Sequence, residues 1–221
     1  MSEVEATPEV EAPSESEELA RLLGAELSEV AKFAAHLLER TGAYSVLCPG
    51  CGAGECSAFF ARRGFRVTAF DESEHTRRRV MHTADRLGVR IECFSDDIIT
   101  PQRTLPQFDA IFSHNTLHQM RPSQRHALLR GFYRLLRLGG ILVVSVLSMD
   151  DERYGYGREI EEDTYDPGSG DSLHFYSAPE LHAELGEFFE VTQIEEMEET
   201  HRTFGGKQRY QLLVATAVRM D

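Results

Sequence analysis

Three closely spaced glycines follow the first strongly apolar run of the chain, Val46–Cys48, and are followed in turn by Glu55. The glycines and the cysteine between the first two are Gly50, Cys51, Gly52 and Gly54. Because glycine has no Cβ, such a turn allows the backbone to approach a bound nucleotide closely. A dinucleotide-binding loop, G-x-G-x-x-G, would require Gly or Ala where Glu55 stands. The spacing therefore predicts a nucleoside ligand that lacks a pyrophosphate.

Carboxylates follow the next two apolar runs. Asp71 lies seventeen residues after Gly54, at the end of the second run, and Asp97 is followed directly by Ile98 after the third. A carboxylate at the tip of the second strand can accept both hydroxyls of a ribose. Asp97 and Ile98 can hold an exocyclic amine and one face of an aromatic ring. Since ligands of open α/β sheets bind at the carboxyl ends of the strands, these residues predict a site for adenosine without phosphates.

The cysteines and histidines have less specific patterns. Cys48 and Cys51 form a C-x-x-C, and with Cys56 and Cys93 they leave redox chemistry and iron–sulfur ligation as alternatives. We favour simple packing of these small side chains around the loop. His114 and His118 are spaced for two zinc ligands on one helical face, but no HExxH pattern or neighbouring carboxylate completes a site. We therefore predict no metal, and expect His118 to face the substrate pocket.

Strand-like and helix-like segments alternate through the middle of the chain. The predicted strands are 44–48, 65–70, 89–94, 108–113 and 141–147, and the helices between them are 55–63, 74–87 and 122–138. This alternation predicts βαβ units with right-handed crossovers, that is, a mostly parallel, doubly wound sheet covered by helices on both faces. Two further strands, 188–195 and 209–218, are joined by the Gly205-Gly206 turn. They predict an antiparallel C-terminal hairpin that brings the α/β sheet to seven strands.

The remaining segments lie outside this alternation. Residues 1–18 contain seven glutamates and no basic residue, which predicts a disordered acidic tail. Residues 19–42 have one apolar face at helical spacing and predict one or two cap helices before the first strand. Residues 148–178 are rich in Gly, Asp and Tyr and predict a lid or substrate loop. We expect residues 19–221 to form a single domain, monomeric or homodimeric.

Charge and hydropathy exclude several classes of protein. The formal net charge is −14, which disfavours a nucleic-acid partner because such partners need basic patches. The longest apolar run, within 140–147, is too short to cross a bilayer, and the N-terminus lacks the basic and apolar regions of a secretory signal. We therefore expect a cytoplasmic protein without a membrane partner.

Together, these motifs resemble a class I S-adenosylmethionine-dependent methyltransferase. The resemblance covers residues 44–147 and includes the glycine loop, the strand-end acids, Phe108–Asn115 and Arg134–Leu142. It implies a Rossmann-like fold, S-adenosyl-L-methionine as cofactor, and cofactor contacts from the following residues: Gly50, Cys51, Gly52, Gly54, Asp71, Glu72, Asp97, Ile98, Ser113 and His114. The family usually has an acid where this chain has Cys48, and the Pro-x-Cys-Gly form is similar to the thiopurine methyltransferase branch.

The C-terminal part, with His201, Arg202 and Arg209, resembles the tellurite-resistance methyltransferases in residue type and spacing. That resemblance places these three residues near the methyl-transfer site. It implies a small-molecule acceptor, a thiol or a chalcogen oxyanion held by the arginines, with His201 or His118 as base for a protonated acceptor. The family's turn sequence is replaced here by Phe204–Gln208. Two alternatives are an O- or N-methyltransferase of a small metabolite and a non-catalytic adenosylmethionine-binding protein. A nicotinamide-dependent oxidoreductase is disfavoured, because Glu55 stands where a dinucleotide-binding loop needs its third glycine.

Overall fold

The computed structural model describes residues 27–97, 99, 104–168, 172–203 and 206–221, and at 201–203 and 206 it describes the backbone alone. Five parallel strands form the centre of its main sheet. The strands are β1 (Ser45–Pro49), β2 (Arg66–Asp71), β3 (Ile91–Ser95), β4 (Phe108–His114) and β5 (Leu136–Leu147). The sheet order is β3-β2-β1-β4-β5, followed by two antiparallel strands. The predicted seven-stranded, mostly parallel α/β sheet is confirmed. The proposed acidic tail, 1–18, and the start of the proposed cap, 19–26, lie outside the described residues.

The helices begin and end at sequence signals. They are α1 (Glu29–Thr41), α2 (Glu55–Arg62), α3 (Glu74–Leu87), α4 (Pro122–Leu135) and α5 (Ala178–Gly186), and a single 3-10 turn covers Leu117–Gln119. Ser28 caps α1 by accepting a hydrogen bond from the Ala31 amide, and left-handed Gly42 ends it. Ser177 caps α5 by accepting a hydrogen bond from the Glu180 amide, and a proline occupies the first turn. None of the described helices is long and apolar enough to cross a membrane.

Helices cover both faces of the sheet, so that two apolar cores result. One core contains Leu38 of α1, Phe60 of α2 and Phe112 of β4, and the rings of Phe60 and Phe112 meet edge to face at 5.0 Å. The other contains Phe132 of α4 and Leu185 of α5 against the opposite face of the sheet. All five side chains are at least 98% buried. This three-layer arrangement leaves the carboxyl ends of the strands free to form a site.

The C-terminal hairpin is longer than the sequence predicts. It consists of β9 (Glu190–Thr203) and β10 (Gly206–Val218), and β10 pairs with β5 only from Leu212 opposite Leu147 to Val218 opposite Ile141. Residues 206–211 pair with β9 alone. We call residues 197–203 and 206–211 the hairpin overhang. Because Leu147 is the carboxyl end of β5, the overhang extends past the same sheet edge as the glycine loop.

Residues 148–178, predicted as a loop, contain a second small sheet. Its antiparallel strands are β6 (Arg158–Glu161), β7 (Thr164–Asp166) and β8 (Leu173–His174). The segment is tied to the end of β5, since the Tyr176 amide donates to the Leu147 carbonyl at 2.8 Å and the Met149 amide to the Tyr176 carbonyl at 3.1 Å. These ties hold the segment against the carboxyl edge of the main sheet.

Candidate active site

The glycine loop adopts a conformation that only glycine accepts without strain. Gly50, Gly52 and Gly54 have φ values of 60°, 54° and 87°. A Cβ at Gly50 would collide with the Thr116 hydroxyl, and one at Gly54 would lie 3.1 Å from the Val80 Cα. Gly54 also stands at the N-cap of α2. The loop therefore forms a narrow backbone cradle at the carboxyl end of β1.

The predicted strand-end acids lie beside this cradle. The Cys51 amide donates to the Phe70 carbonyl at 3.3 Å, which joins the loop to the end of β2. Asp71 Oδ1 accepts from the Ser73 amide at 2.9 Å, and the Asp96 amide donates to the Asp71 carbonyl at 3.1 Å. Asp71 and its exposed neighbour Glu72 thus lie between the glycine loop and the end of β3.

Of the two residues predicted to contact the adenine, the structure describes Asp97. Asp97 Oδ1 accepts a hydrogen bond from the Ile99 amide at 2.7 Å, just after β3. This bond folds the chain back directly after the strand and fixes the carboxylate close to the strand end. The side chain of Ile98, the predicted apolar contact, lies outside the described residues.

The end of β4 contributes a polar cluster. His114 Nδ1 is 2.7 Å from the Ser145 hydroxyl oxygen, which also accepts from the amide of Asn115 at 3.1 Å. Asn115 has a left-handed φ of 53°, so the chain turns sharply here. The Ser113 hydroxyl is buried and has no hydrogen-bond partner among the described residues. A buried hydroxyl without a protein partner can hydrogen-bond to a polar ligand atom that reaches it.

Glu199 on β9 is a buried carboxylate beside the predicted site, and the sequence does not single it out. Its side chain is only 2% exposed, and its Oε1 accepts hydrogen bonds from the Ser28 hydroxyl at 2.6 Å and the Val30 amide at 2.9 Å. Its Oε2 lies 3.4 Å from His114 Nε2. A single carboxylate therefore links the start of α1, the hairpin overhang and the end of β4. Glu199 stands among Glu195, Glu196 and Glu198, and nothing in this run distinguishes it before the strand register is known.

His118 is enclosed beneath the 148–178 segment. Burial, and next the positive charge of Arg153, lower the pKa of His118 from 6.5 to about 3, so the imidazole is neutral at physiological pH. Its Nδ1 is buried without a hydrogen-bond partner in the part of the chain that the structure describes. A neutral imidazole with a depressed pKa is a weak base but a good hydrogen-bonding group for a ligand.

The hairpin residues from the tellurite-resistance resemblance lie in the overhang. His201 pairs with Gln208, Arg202 with Lys207, and Arg209 with Thr200. Arg209 Nε is 3.2 Å from Glu198 Oε1, and 65% of the Arg209 side chain is exposed. Because neighbouring positions alternate between faces, Arg209 lies on the opposite face of the hairpin from Glu199. The side chains of His201 and Arg202 lie outside the described residues, and catalytic roles for the three stay predictions.

The four cysteines are free thiols around the loop and the neighbouring strands. Burial raises the pKa of Cys48 to about 12. The thiols of Cys51 and Cys93 are hydrogen-bonded to each other, and this bond raises the pKa of Cys51 and lowers that of Cys93. Within the described residues, no three His, Cys, Asp or Glu side chains are grouped so that they could hold a metal ion.

Comparison with known proteins identifies the centre of the chain. Residues 46–140 match the family model described as a methyltransferase domain. This segment is therefore similar to the methyltransferase domain of the class I S-adenosylmethionine-dependent enzymes. A curated protein of Geobacillus sp. (strain WCH70), itself named as a methyltransferase, is 32% identical over 111 residues. That match covers 49% of this chain and 44% of the relative, so the chain spans less than half the length of the curated relative it matches.

Solved structures share the fold of the methyltransferase domain. The 1,6-didemethyltoxoflavin-N1-methyltransferase of Burkholderia thailandensis is 24% identical with a TM-score of 0.68, and the match covers 96% of this chain and 94% of that one. TehB of Haemophilus influenzae is 16% identical with a TM-score of 0.66, covering 89% of this chain and 63% of that one. At these identities the likeness shows the fold alone.

The cofactor of a methyltransferase domain of this class is S-adenosyl-L-methionine. The residues present fit it on structural grounds. The backbone cradle at Gly50 and Gly54 has no room for a Cβ, and the Ser113 hydroxyl lacks a partner among the described residues. Asp71 and Asp97 supply carboxylates at neighbouring strand ends, as a ribose and an adenine amine require.

Proposed function

We propose that this chain methylates a small molecule that binds beside Glu199 and His114, where the hairpin overhang meets the start of α1. The observation that carries this proposal is the buried Glu199 carboxylate, held by Ser28 and Val30 and directed at His114. Burying a carboxylate is costly unless it is hydrogen-bonded, so a fully bonded one at a ligand site favours a role there. It lies on the same sheet edge as the glycine cradle, where the cofactor binds.

For the cofactor, we propose contacts on three consecutive strand ends. Asp71 accepts the ribose hydroxyls, Asp97 and Ile98 hold the adenine, and the backbone of residues 50–54 follows the amino-acid part. Ser113 and His114 then line the path from the cofactor to the acceptor. The hydrogen bonds that the Asp71 and Asp97 carboxylates accept from the Ser73 and Ile99 amides support this arrangement, because a prepositioned carboxylate loses little entropy on binding.

The bound cofactor supplies a methyl group on a positively charged sulfur, and this group is transferred in line to a nucleophile. The chain's own contribution is positioning and exclusion of water. The overhang and the start of α1, joined through Glu199, close one side of the site. An acceptor that arrives with an O–H, N–H or S–H group must lose a proton. In this proposal the pair of His114 and Glu199, whose Nε2 and Oε2 lie 3.4 Å apart, accepts it.

Two observations favour a neutral acceptor over a selenium or tellurium oxyanion. The buried Glu199 carboxylate would repel an anion placed beside it. Arg209, one of the two arginines that would hold an oxyanion, is ion-paired with Glu198 and largely exposed on the other face of the hairpin. The Burkholderia neighbour, which binds 1,6-didemethyltoxoflavin and S-adenosylhomocysteine, illustrates a small-molecule acceptor on the same fold.

The test is a turnover assay with four acceptors of different charge and atom type. Purified protein is incubated with S-adenosylmethionine and a phenol, an aromatic amine, a thiol or sodium selenite, and S-adenosylhomocysteine is measured. We expect product with at least one neutral acceptor and none above background with selenite. Turnover of selenite that is lost in Arg209→Ala would instead support the oxyanion alternative. Tight binding of S-adenosylhomocysteine without turnover of any acceptor would favour a non-catalytic binding protein.

A further inference from the structure

We propose that a cavity between the 148–178 segment and the hairpin overhang is the pocket for the acceptor's ring, and that it takes a planar aromatic small molecule. The inference rests on the proposed function and adds to it the class of acceptor and the pocket that holds the acceptor's ring. The cavity has a volume of about 310 Å³. That is the lower end of the range for small-molecule sites, which suits a molecule of one or two fused rings.

The walls of the cavity are mainly aromatic and apolar. They are formed by Tyr156, Tyr165, Pro167, Leu173 and Phe175, all from the 148–178 segment. Such walls favour a flat, weakly hydrated ligand, because ring stacking adds to the free energy gained by burying apolar area. A small, strongly hydrated oxyanion would lose its hydration here without replacement hydrogen bonds.

The aromatic walls are held in place before any ligand binds. The rings of Tyr165 and Phe175 meet edge to face at 6.0 Å, and Tyr154 contacts both of them at 5.5 and 5.6 Å. The Phe175 amide donates to the Asp163 carbonyl at 2.9 Å, which fixes the start of the following turn. A preformed pocket loses little conformational entropy on binding, so these contacts favour a rigid ligand.

One end of the cavity is polar but nearly neutral. Arg153 forms a bidentate ion pair with the buried Asp151. The Arg153 Nε donates to Oδ1 at 2.6 Å, and its Nη2 donates to Oδ2 at 2.8 Å. The Arg153 guanidinium also stacks 4.1 Å from the centre of the Tyr210 ring. Its Nη1 takes no part in the pair with Asp151. Since the pair offsets the positive charge, the polar end offers donors to a carbonyl or ring nitrogen and does not form an anion site.

The polar end faces the proposed transfer site. Gln208 lines the cavity, and its amide oxygen accepts from the Tyr210 hydroxyl at 3.1 Å. Tyr210 pairs with Glu199 across the hairpin, so Gln208 and Glu199 lie on one face, two strand positions apart. This separation is about 7 Å along the strand, roughly the width of one or two rings. A ring in the cavity can therefore place a substituent beside Glu199 and His114.

Another cavity, of about 410 Å³, does not have this placement. It is lined by Tyr44, Arg66 and Arg90 among others, at the amino ends of β1, β2 and β3. The ligands of parallel α/β sheets bind at the opposite edge. This cavity supplies a control residue, since Tyr44 is 63% exposed and distant from the glycine loop.

The test measures binding separately from turnover. We would titrate the full chain, saturated with S-adenosylhomocysteine, with 7-hydroxycoumarin, 2-naphthol and quinolin-8-ol, using cyclohexanol and sodium selenite as non-aromatic controls. Saturable binding of at least one aromatic probe is expected, with no binding of cyclohexanol or selenite at equal concentration. Tyr156→Ala removes a wall that is 68% exposed, and Leu173→Trp fills the cavity. We expect each to raise the probe's Kd by about tenfold or more, the scale of losing one aromatic contact or the space for the ring.

Tyr44→Ala is the matched control and should leave the probe's Kd unchanged. All three variants should keep the melting temperature and the affinity for S-adenosylhomocysteine of the parent chain, and a variant with a lowered melting temperature is replaced by Leu173→Phe. Absence of probe binding by a folded chain saturated with S-adenosylhomocysteine would overturn the pocket, as would binding that Tyr156→Ala and Leu173→Trp leave intact. Turnover of a thiol without probe binding leaves the proposed function standing while the pocket fails. Probe binding without any methyl transfer would support the pocket and contradict the proposed function.

Discussion

Glu199 and Ser28, which are 171 residues apart in the chain, are joined by a 2.6 Å hydrogen bond in which the serine hydroxyl donates to the carboxylate. Ser28 is also the N-cap of α1, and the Val30 amide of the same helix donates to the same oxygen. The helix N-terminus carries partial positive charge, so the carboxylate and the helix stabilise each other. The hairpin overhang is thereby fastened to the start of α1 over the carboxyl edge of the sheet.

Removing this carboxylate should destabilise the fold. Glu199→Ala leaves the Ser28 hydroxyl and the Val30 amide buried without their shared acceptor, and hydrogen bonds to charged groups contribute about 1.5–3 kcal/mol each. We expect the free energy of unfolding to fall by about 3 kcal/mol in urea denaturation. Glu198→Ala, at the exposed neighbour, should change it by less than about 0.5 kcal/mol. Equal effects of the two substitutions would refute the structural role of Glu199.

The charge of Glu199 should matter for turnover separately from its hydrogen bonds. Glu199→Gln keeps an oxygen that can accept from Ser28 and Val30 but loses the negative charge of the proposed proton-accepting pair with His114. We expect kcat with a neutral acceptor to fall by about ten- to a hundred-fold, while the Kd for S-adenosylhomocysteine changes by less than about threefold. Glu198→Gln is the control and should leave kcat unchanged. A parental kcat in Glu199→Gln would remove the proposed proton-accepting pair.

Asp71 should control cofactor affinity. If its carboxylate accepts the ribose hydroxyls, Asp71→Ala removes the partner of buried groups and costs about 1.5–3 kcal/mol, or roughly ten- to a hundred-fold in Kd. Calorimetry with S-adenosylhomocysteine measures this directly. Asp85→Ala, at an exposed position near the end of α3, serves as control and should bind like the parent. An unchanged Kd in Asp71→Ala would mean that another residue holds the ribose.

The glycine loop and the strand-end acids could be predicted because local signals determine them. The positive φ values at Gly50, Gly52 and Gly54 require glycine, and Asp71 follows a buried, strongly apolar strand. The ends of the hairpin strands could not be predicted from the sequence, because Glu195–Thr203 is polar and glutamate is uncommon in strands. The pairing of this segment with 206–214 becomes clear only in the folded register. Strands of two to four residues, such as β8, are likewise too short to leave an alternating pattern.

Glu199 illustrates why the sequence predicts only part of the proposed site. Four glutamates occupy residues 195–199, and which of them is buried depends on strand parity and on the position of α1. A shift of one residue would direct Glu198 inward and Glu199 to solvent. The aromatic cavity depends in the same way on contacts between Phe175 and the tyrosines of the 148–178 segment. The spacing of apolar residues along the sequence does not predict these contacts.

The thiols around the loop should react in a defined order with iodoacetamide. Because the Cys51 thiol donates a hydrogen bond to its sulfur, Cys93 has a lowered pKa and the larger thiolate fraction at neutral pH. Cys48 is buried with its pKa raised to about 12 and should react more slowly than Cys93. Peptide mass spectrometry after timed alkylation reads out the order. Cys51→Ala removes this donor and should slow alkylation of Cys93, and faster labelling of Cys48 than of Cys93 would contradict the assignment.

The pH dependence of stability should reveal the buried His118. Its pKa is lowered to about 3 in the fold, chiefly by desolvation, whereas the unfolded chain binds the proton near pH 6.5. The stability contributed by the neutral imidazole is therefore complete above about pH 6.5 and declines as the pH falls below it. The loss is about 1.4 kcal/mol per pH unit, or roughly 3 kcal/mol by pH 4. His118→Gln removes this linkage, so its free energy of unfolding should fall less steeply between pH 6.5 and 4 than that of the parent. His36→Gln, on the exposed face of α1, should retain the parental slope. Parallel slopes for the parent and His118→Gln would show that His118 is protonated in the folded chain at mildly acidic pH.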